Sequence, residues 1–279
     1  MTTIEHNARR PALVVELLRV LRAHRRLIVE MTRRELRDRY VGNVLGRLWS
    51  VLHPLVMVGV YVFLFGFVFR ARAGAAGREV PSDYVVFMLS ALLPWQTLIE
   101  SVNKGTTVIA SNANLVKQVV FPIEILPIKS VLASLSTLAV TTSLFAIYVL
   151  VVRGALPWTI VLLPALWLAQ AVLMLGLVFL LSSLTVFFRD VKDMVQVASQ
   201  LGVYTVPVVF AVDWVPEALR PIVRFNPLTP LVLGHRDVWY HGAITEPWAW
   251  VALGGVSLAA LVVGLAAFRW LRPHFGNVL

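Results

Sequence analysis

Apolar residues fall along this chain in long unbroken runs, not in the alternating or one-sided patterns of a soluble domain. Charge-free runs extend from Leu48 to Phe69, Ser130 to Val152, Gly154 to Phe188, Met194 to Val212 and Pro247 to Phe268. A helix needs about 20 apolar residues to cross roughly 30 Å of hydrocarbon, and these runs meet that length. A sixth stretch, Tyr84 to about Ile109, is apolar but carries Glu100 and Lys104. The pattern predicts an all-α, polytopic membrane protein with six transmembrane helices, at about 50–69, 84–109, 125–152, 158–187, 194–212 and 248–268.

The segments between the runs are patterned too. Over 11–31, Leu13, Leu17, Leu18, Leu21 and Ile28 recur at helical spacing against Arg19, Arg22, Arg25 and Arg26. This predicts an amphipathic helix, either lying in the headgroup plane or packed on protein at the membrane surface. Arg33, Arg34, Arg37, Arg39 and Arg47 prolong its basic side, so the amphipathic region runs over 11–48. Residues 111–124 form a short segment in which Asn112 or Asn114 is placed to cap a helix ending before Pro122. Arg189 and Asp193 are spaced to pair across a connection between two runs, and Pro207 interrupts the fifth. Residues 213–247 hold too many prolines for a span and too many apolar residues for a wet loop. Two short outer re-entrant helices fit them, since irregular backbone at membrane depth must be covered by protein.

Composition narrows the function class. With 58% hydrophobic and 14% charged residues, the chain is too apolar for an ordinary soluble domain. Its net charge of +10 lies beside the spans, where an anionic leaflet and the positive-inside rule account for it without nucleic acid. The same rule places both termini in the cytoplasm, with Arg269 and Arg272 just past the last run. The absence of cysteine excludes disulfides and thiolate metal sites.

The chemistry on offer is sparse. No glycine-rich Lys-Ser/Thr phosphate loop occurs, so the chain is not expected to hydrolyse ATP by itself. The six histidines show no metal-ligand spacing, His235 and His241 being a weak pair. Few acids lie within the runs, unlike many proton-driven carriers. No paired acids or nucleophile–base arrangement points to a membrane enzyme. Glu100 and Lys104, four apart, make a favourable helical pair that reads first as structural. Small residues Gly176, Ser182 and Ser183 suit close helix packing. Tyr61 and Phe65 share a helical face and Trp95 lies in the next span; such rings either anchor and pack the bundle or stack on sugars in a transport path.

The run RRELRDRYVGNVLGRLWSVLHPLVMVGVYVFLFGFVF, from Arg33 to Phe69, resembles the membrane permease subunit of two-component ABC-2 type polysaccharide exporters, the group exporting O-antigen, capsule and teichoic acid. SNANLVKQVVFPIEILP at 111–127, FFRDVKDMVQV and FNPLTPLVLGHRDVW extend the resemblance over nearly the whole chain, read as one transmembrane domain, 1–279. The resemblance implies a homodimer bound to two copies of a separate ABC ATPase that carries ATP and Mg, with no cofactor in this chain. It implies that 111–124 is the coupling segment, with Asn112, Asn114, Leu115, Lys117 and Phe121 facing the ATPase and Arg189 and Asp193 adding contact. It further implies that 213–247 shapes an exit gate. The implied cargo is an undecaprenyl-diphosphate-linked glycan crossing the inner membrane, with O-antigen ahead of teichoic acid and of small lipids or drugs. Arg33, Arg34, Arg37, Arg39 and Arg47 would attract the diphosphate, and Tyr61, Phe65 and Trp95 would offer the glycan a sliding surface.

Overall fold

The computed structural model describes residues 13–39, 45–69, 83–118 and 122–279. The described residues are helical with short connections, and five helices are long and apolar enough to cross a membrane. Two surface helices, α1 (Leu13–Ala23) and α2 (Arg25–Asp38), precede α3 (Trp49–Phe63), which continues in a π turn, Leu64–Phe69. Then come α4 (Tyr84–Thr106), the short α5 (Ala113–Gln118) and the long α6 (Ile125–Arg153). A 3-10 turn, Trp158–Leu162, leads into α7 (Leu163–Phe187), followed by α8 (Val191–Thr205). After α9 (Arg220–Arg224), α10 (Thr229–Arg236) and its π turn, Asp237–His241, the chain ends with α11 (Pro247–Leu271) and α12 (Phe275–Val278).

Local chemistry sets several of these boundaries. Gly154, at φ +75, stops α6 in the left-handed conformation that a side chain resists. Prolines occupy the first turns of α7, α10 and α11, where a missing N–H costs nothing. Pro54 sits inside α3, one turn beyond its start.

The fifth span also differs. In place of a helix over 194–212, α8 is 15 residues long, roughly 22 Å at 1.5 Å per residue and short of a full crossing. Pro207 is the cause. Its ring disfavours helical geometry at the preceding residue, and Val206 is extended at φ -103, ψ 142. The non-helical chain continues with Val206 and Val208 buried, and Trp214 reaches the ring of Phe87 at 6.4 Å near the start of α4.

Helix α4 is the centre of the bundle, buried along most of its length. The tightest approach lies between α7 and α11. A Cβ on Gly264 would sit 2.1 Å from the Gly176 carbonyl oxygen, and one on Gly176 would sit 2.3 Å from the Ala260 backbone, so only glycine permits this crossing. Ser182 and Ser183 are buried beside it, each hydroxyl bonded to the Phe179 carbonyl of its own helix.

The bundle has two chemically distinct ends. At one, α1 and α2 bury Leu17 and Ile28 in an apolar cluster with Leu265, Phe268 and Phe275. Ion pairs fix this end: Glu16 with Arg269, Glu35 with Lys129 at 3.2 Å, and Glu124 with Arg272. Val15, Leu18 and Val29 stay exposed, so the amphipathic helices pack on protein and still present apolar surface outward. At the other end, Arg153 binds Asp83 at 2.6 Å and the Trp239 carbonyl at 2.9 Å. Thr159 donates to the Val238 carbonyl at 2.7 Å, so carbonyls of the π turn find side-chain donors. There the buried Arg236 donates to the Val208 carbonyl at 3.0 Å and lies over the Phe87 ring at 3.8 Å. One guanidinium thus meets a buried carbonyl of the broken run after α8 and gains a cation–π contact.

Candidate functional site, a basic trough beneath the surface helix

The side of α6 that faces α2 and α3 carries three adjoining cavities. The first, about 660 Å³, lies between α2, α6 and α7, with Arg33, Thr32 and Ser136 on a mainly apolar wall that includes Leu132, Ala139 and Trp167. The second, about 220 Å³, shares Leu36 and Ser136 with the first and adds Arg37. The third, about 650 Å³, shares Arg39 and Thr137 with the second and opens between α3, α4 and α6. We call this series of adjoining cavities, running along α6 at the end of α2, the trough.

Helix α2 places its arginines by its own periodicity. Arg33, Arg37 and, just past the helix, Arg39 reach successive parts of the trough. Arg34 points outward and pairs with Asp38 at 3.5 Å, an exposed contact of little energetic weight. Arg47 lies in the 3-10 turn before α3, and its side chain is outside the described residues. Arg39 is the best-held of the series. Its Nη1 donates to Glu100 at 3.0 Å and to Thr137 at 3.4 Å, while Nη2 is buried without an acceptor. Glu100 also takes the ammonium of Lys104, as the spacing on α4 predicts.

The aromatic expectation divides. Tyr61 lines the third cavity, stacks on Phe65 at 6.0 Å and 19°, and accepts a hydrogen bond from Gln96. Trp95 does not join them. It is buried, and a Cβ on Gly202 would meet its ring at 2.6 Å, so it serves as the surface on which α8 packs. Adjacent residues on a helix point about 100° apart, and Gln96, not Trp95, faces the trough. Sequence reasoning missed Gln96, His53 and Thr137 on these walls. No local signal marks them, because their roles depend on which helices come together.

The described part of the segment 111–124 begins in a 3-10 turn, Ala110–Asn112, leading into α5. The Asn112 side chain does not cap α5; its Nδ2 donates back to the Val108 carbonyl at 2.7 Å. Asn114 and Lys117 are exposed, while Leu115 packs on the apolar cluster at the α1–α2 end. Phe121 lies outside the described residues. Arg189 and Asp193 are exposed at the same end but form no ion pair, contrary to their spacing. His235 is buried with Nδ1 2.9 Å from the Leu231 carbonyl, while His241 is exposed beside Tyr240, so the two share no site. Among the described residues no cluster of three or more His, Asp or Glu side chains is arranged to hold a metal.

Known proteins share this sequence over most of its length. The chain is 30% identical over 257 residues to an O-antigen export system permease protein RfbA of Klebsiella pneumoniae, covering 91% of this chain and 95% of that one. It is 28% identical over 266 residues to the protein of the same description in Myxococcus xanthus, covering 95% and 99%. The polysialic acid transport protein KpsM of Escherichia coli is 24% identical over 247 residues, covering 85% and 90%. The family model described as ABC-2 type transporter matches residues 26–240. The chain is therefore a multi-pass membrane permease that belongs to the ABC-2 type transporter family, related to the permeases of O-antigen and polysaccharide export.

Proposed function

We propose that this chain is the membrane half of an ATP-driven exporter that moves an undecaprenyl-diphosphate-linked, O-antigen-like polysaccharide across the inner membrane. The observation that carries the reading is the trough: three arginines, an apolar wall and Tyr61, all under a helix at the membrane surface. A lipid-linked diphosphate has a complementary shape, with an anionic head for guanidinium groups and an apolar tail for the groove. Two chains pair and bind two copies of an ABC ATPase, which supplies ATP hydrolysis with Mg. Asn112, Asn114, Leu115, Lys117 and Phe121 of 111–124 meet that partner, with Arg189 and Asp193 beside them.

Six crossings complete the topology, the fifth formed by α8 with the buried run after it. Helices α1 and α2 and the tail with Arg269 and Arg272 share one end, which the positive-inside rule assigns to the cytoplasm. The broken segment 213–247 forms the outer gate, reached by the glycan after it passes Tyr61 and Phe65. The kinship with polysialic acid transport proteins favours an acidic capsule polymer as the second reading. Mass spectrometry of the complex gently extracted from its native membrane tests both. An ABC ATPase with a diphosphate-linked glycan is expected, and the glycan's composition separates the two cargos. An intact ATPase complex with no lipid-linked glycan, and no glycan transport after reconstitution, would overturn the proposal.

A further inference from the structure

We propose that Glu100 is a resident counter-ion which a diphosphate headgroup displaces from Arg39, so that filling the cleft between α3, α4 and α6 releases the end of α2. The inference rests on the diphosphate-linked cargo proposed above and adds to it a means of reporting occupancy. Among the described residues, Glu100 is the one carboxylate that serves two cations. Its Oε1 accepts from both Arg39 and Lys104, so the three groups carry a net positive charge. Arg39 keeps unused donor capacity, with Nη2 buried and unpartnered. His53, Tyr61, Gln96 and Thr97 surround the same space, and its roughly 650 Å³ falls within the ordinary range of ligand sites. A cluster short of anionic acceptors, set in a polar cleft of this size, is matched to a multiply charged anion. A diphosphate offers guanidinium the paired oxygens that a single carboxylate oxygen does not.

The exchange is asymmetric. Lys104 and Glu100 lie four residues apart on α4, so their pair persists when Arg39 leaves. The Arg39–Glu100 contact instead joins groups 61 residues apart and ties α2 to α4. Helix α2 also holds α6 through Glu35 and Lys129, one turn before Arg39. Losing Glu100 therefore frees the end of α2 from α4, and it pivots about Glu35–Lys129 and the long 3.4 Å contact of Arg39 with Thr137, both on α6, without detaching. Cargo in the cleft is thereby read at the surface helix, on the same end of the bundle as α5.

Farnesyl diphosphate is the probe, with farnesol as the uncharged control, added to the full chain with its ATPase in nanodiscs. Wild type is expected to bind farnesyl diphosphate and Arg39→Gln to lose it. Glu100→Gln, freed of the competing charge, is expected to bind about fivefold more tightly. Because this chain contains no cysteine, spin labels attached at Asp38→Cys and Ile147→Cys before the ATPase is added report the position of α2 against α6. Farnesyl diphosphate should shift that distance in the wild-type background, and farnesol should not. Glu100→Gln should show the shifted distance without ligand. Binding by wild type, loss in Arg39→Gln, and equal or weaker binding by Glu100→Gln would overturn the exchange while leaving the cargo reading intact. No binding by wild type would overturn both. Binding without any shift of the labels, a result independent of whether Glu100→Gln folds, would overturn the release of α2.

Discussion

Replacing Gly264 by alanine tests the α7–α11 crossing with a single methyl group. The new Cβ would lie 2.1 Å from the Gly176 carbonyl oxygen and 2.9 Å from its carbonyl carbon. Ordinary van der Waals contact begins near 3.4 Å, so the helices must separate by about 1 Å. Both obstructing atoms are backbone, and no rotamer change relieves them. Overpacking of this kind costs about 1–3 kcal/mol, which corresponds to roughly 2–5 °C in thermal midpoint for a chain of this size. Gly254→Ala is the matched control. It lies on the same helix with nothing within 4 Å of its Cβ, and alanine there is expected to be neutral or slightly stabilising. Thermal unfolding of both variants in one detergent gives the comparison. If Gly264→Ala melts no lower than Gly254→Ala, the close crossing does not hold the bundle together.

Three further outcomes are expected. Arg236→Met removes the donor to the buried Val208 carbonyl, costing about 1–3 kcal/mol; limited proteolysis should find new cleavage near 206–211, and an unchanged digestion pattern would contradict this. Lys117→Glu alters an exposed side chain of α5, so thermal stability should hold while cargo-stimulated ATP use falls; normal stimulation would remove 111–124 from the ATPase contact. Tyr61→Leu should slow polymer export with assembly intact, whereas Trp95→Ala should destabilise the chain by about 3–5 kcal/mol; the reverse pattern would exchange the roles assigned to the two rings.

Five of the predicted spans were legible because a long apolar run is its own signal: length alone decides whether it can cross. The fifth run was apolar enough to suggest a helix, but Pro207 outweighed its composition, and what covers the broken backbone comes from α4 and α10. The arginines of α2 were visible as a series, yet nothing local to the sequence says which face of the helix the bundle covers, and so that Arg34 turns outward while Arg39 is carried to Glu100. The Glu100–Lys104 pair was readable from its spacing, while its third member stands 61 residues away. Trp95 shows the converse: aromatic character marked it for a transport path, and its direction on α4 made it core.

The short α8 constrains how the chain is built into the membrane. A continuous helix can settle in lipid alone and find its neighbours afterwards, because its backbone is already satisfied. The run after Thr205 cannot, since its Val208 carbonyl is met by Arg236, which lies downstream in the chain. This part of the polypeptide therefore reaches its final environment only with α10 in place, packed against α4, which precedes it. Truncation ahead of Arg236 would therefore not simply shorten the chain; it would leave the Val208 carbonyl without its donor, with the broken run still present.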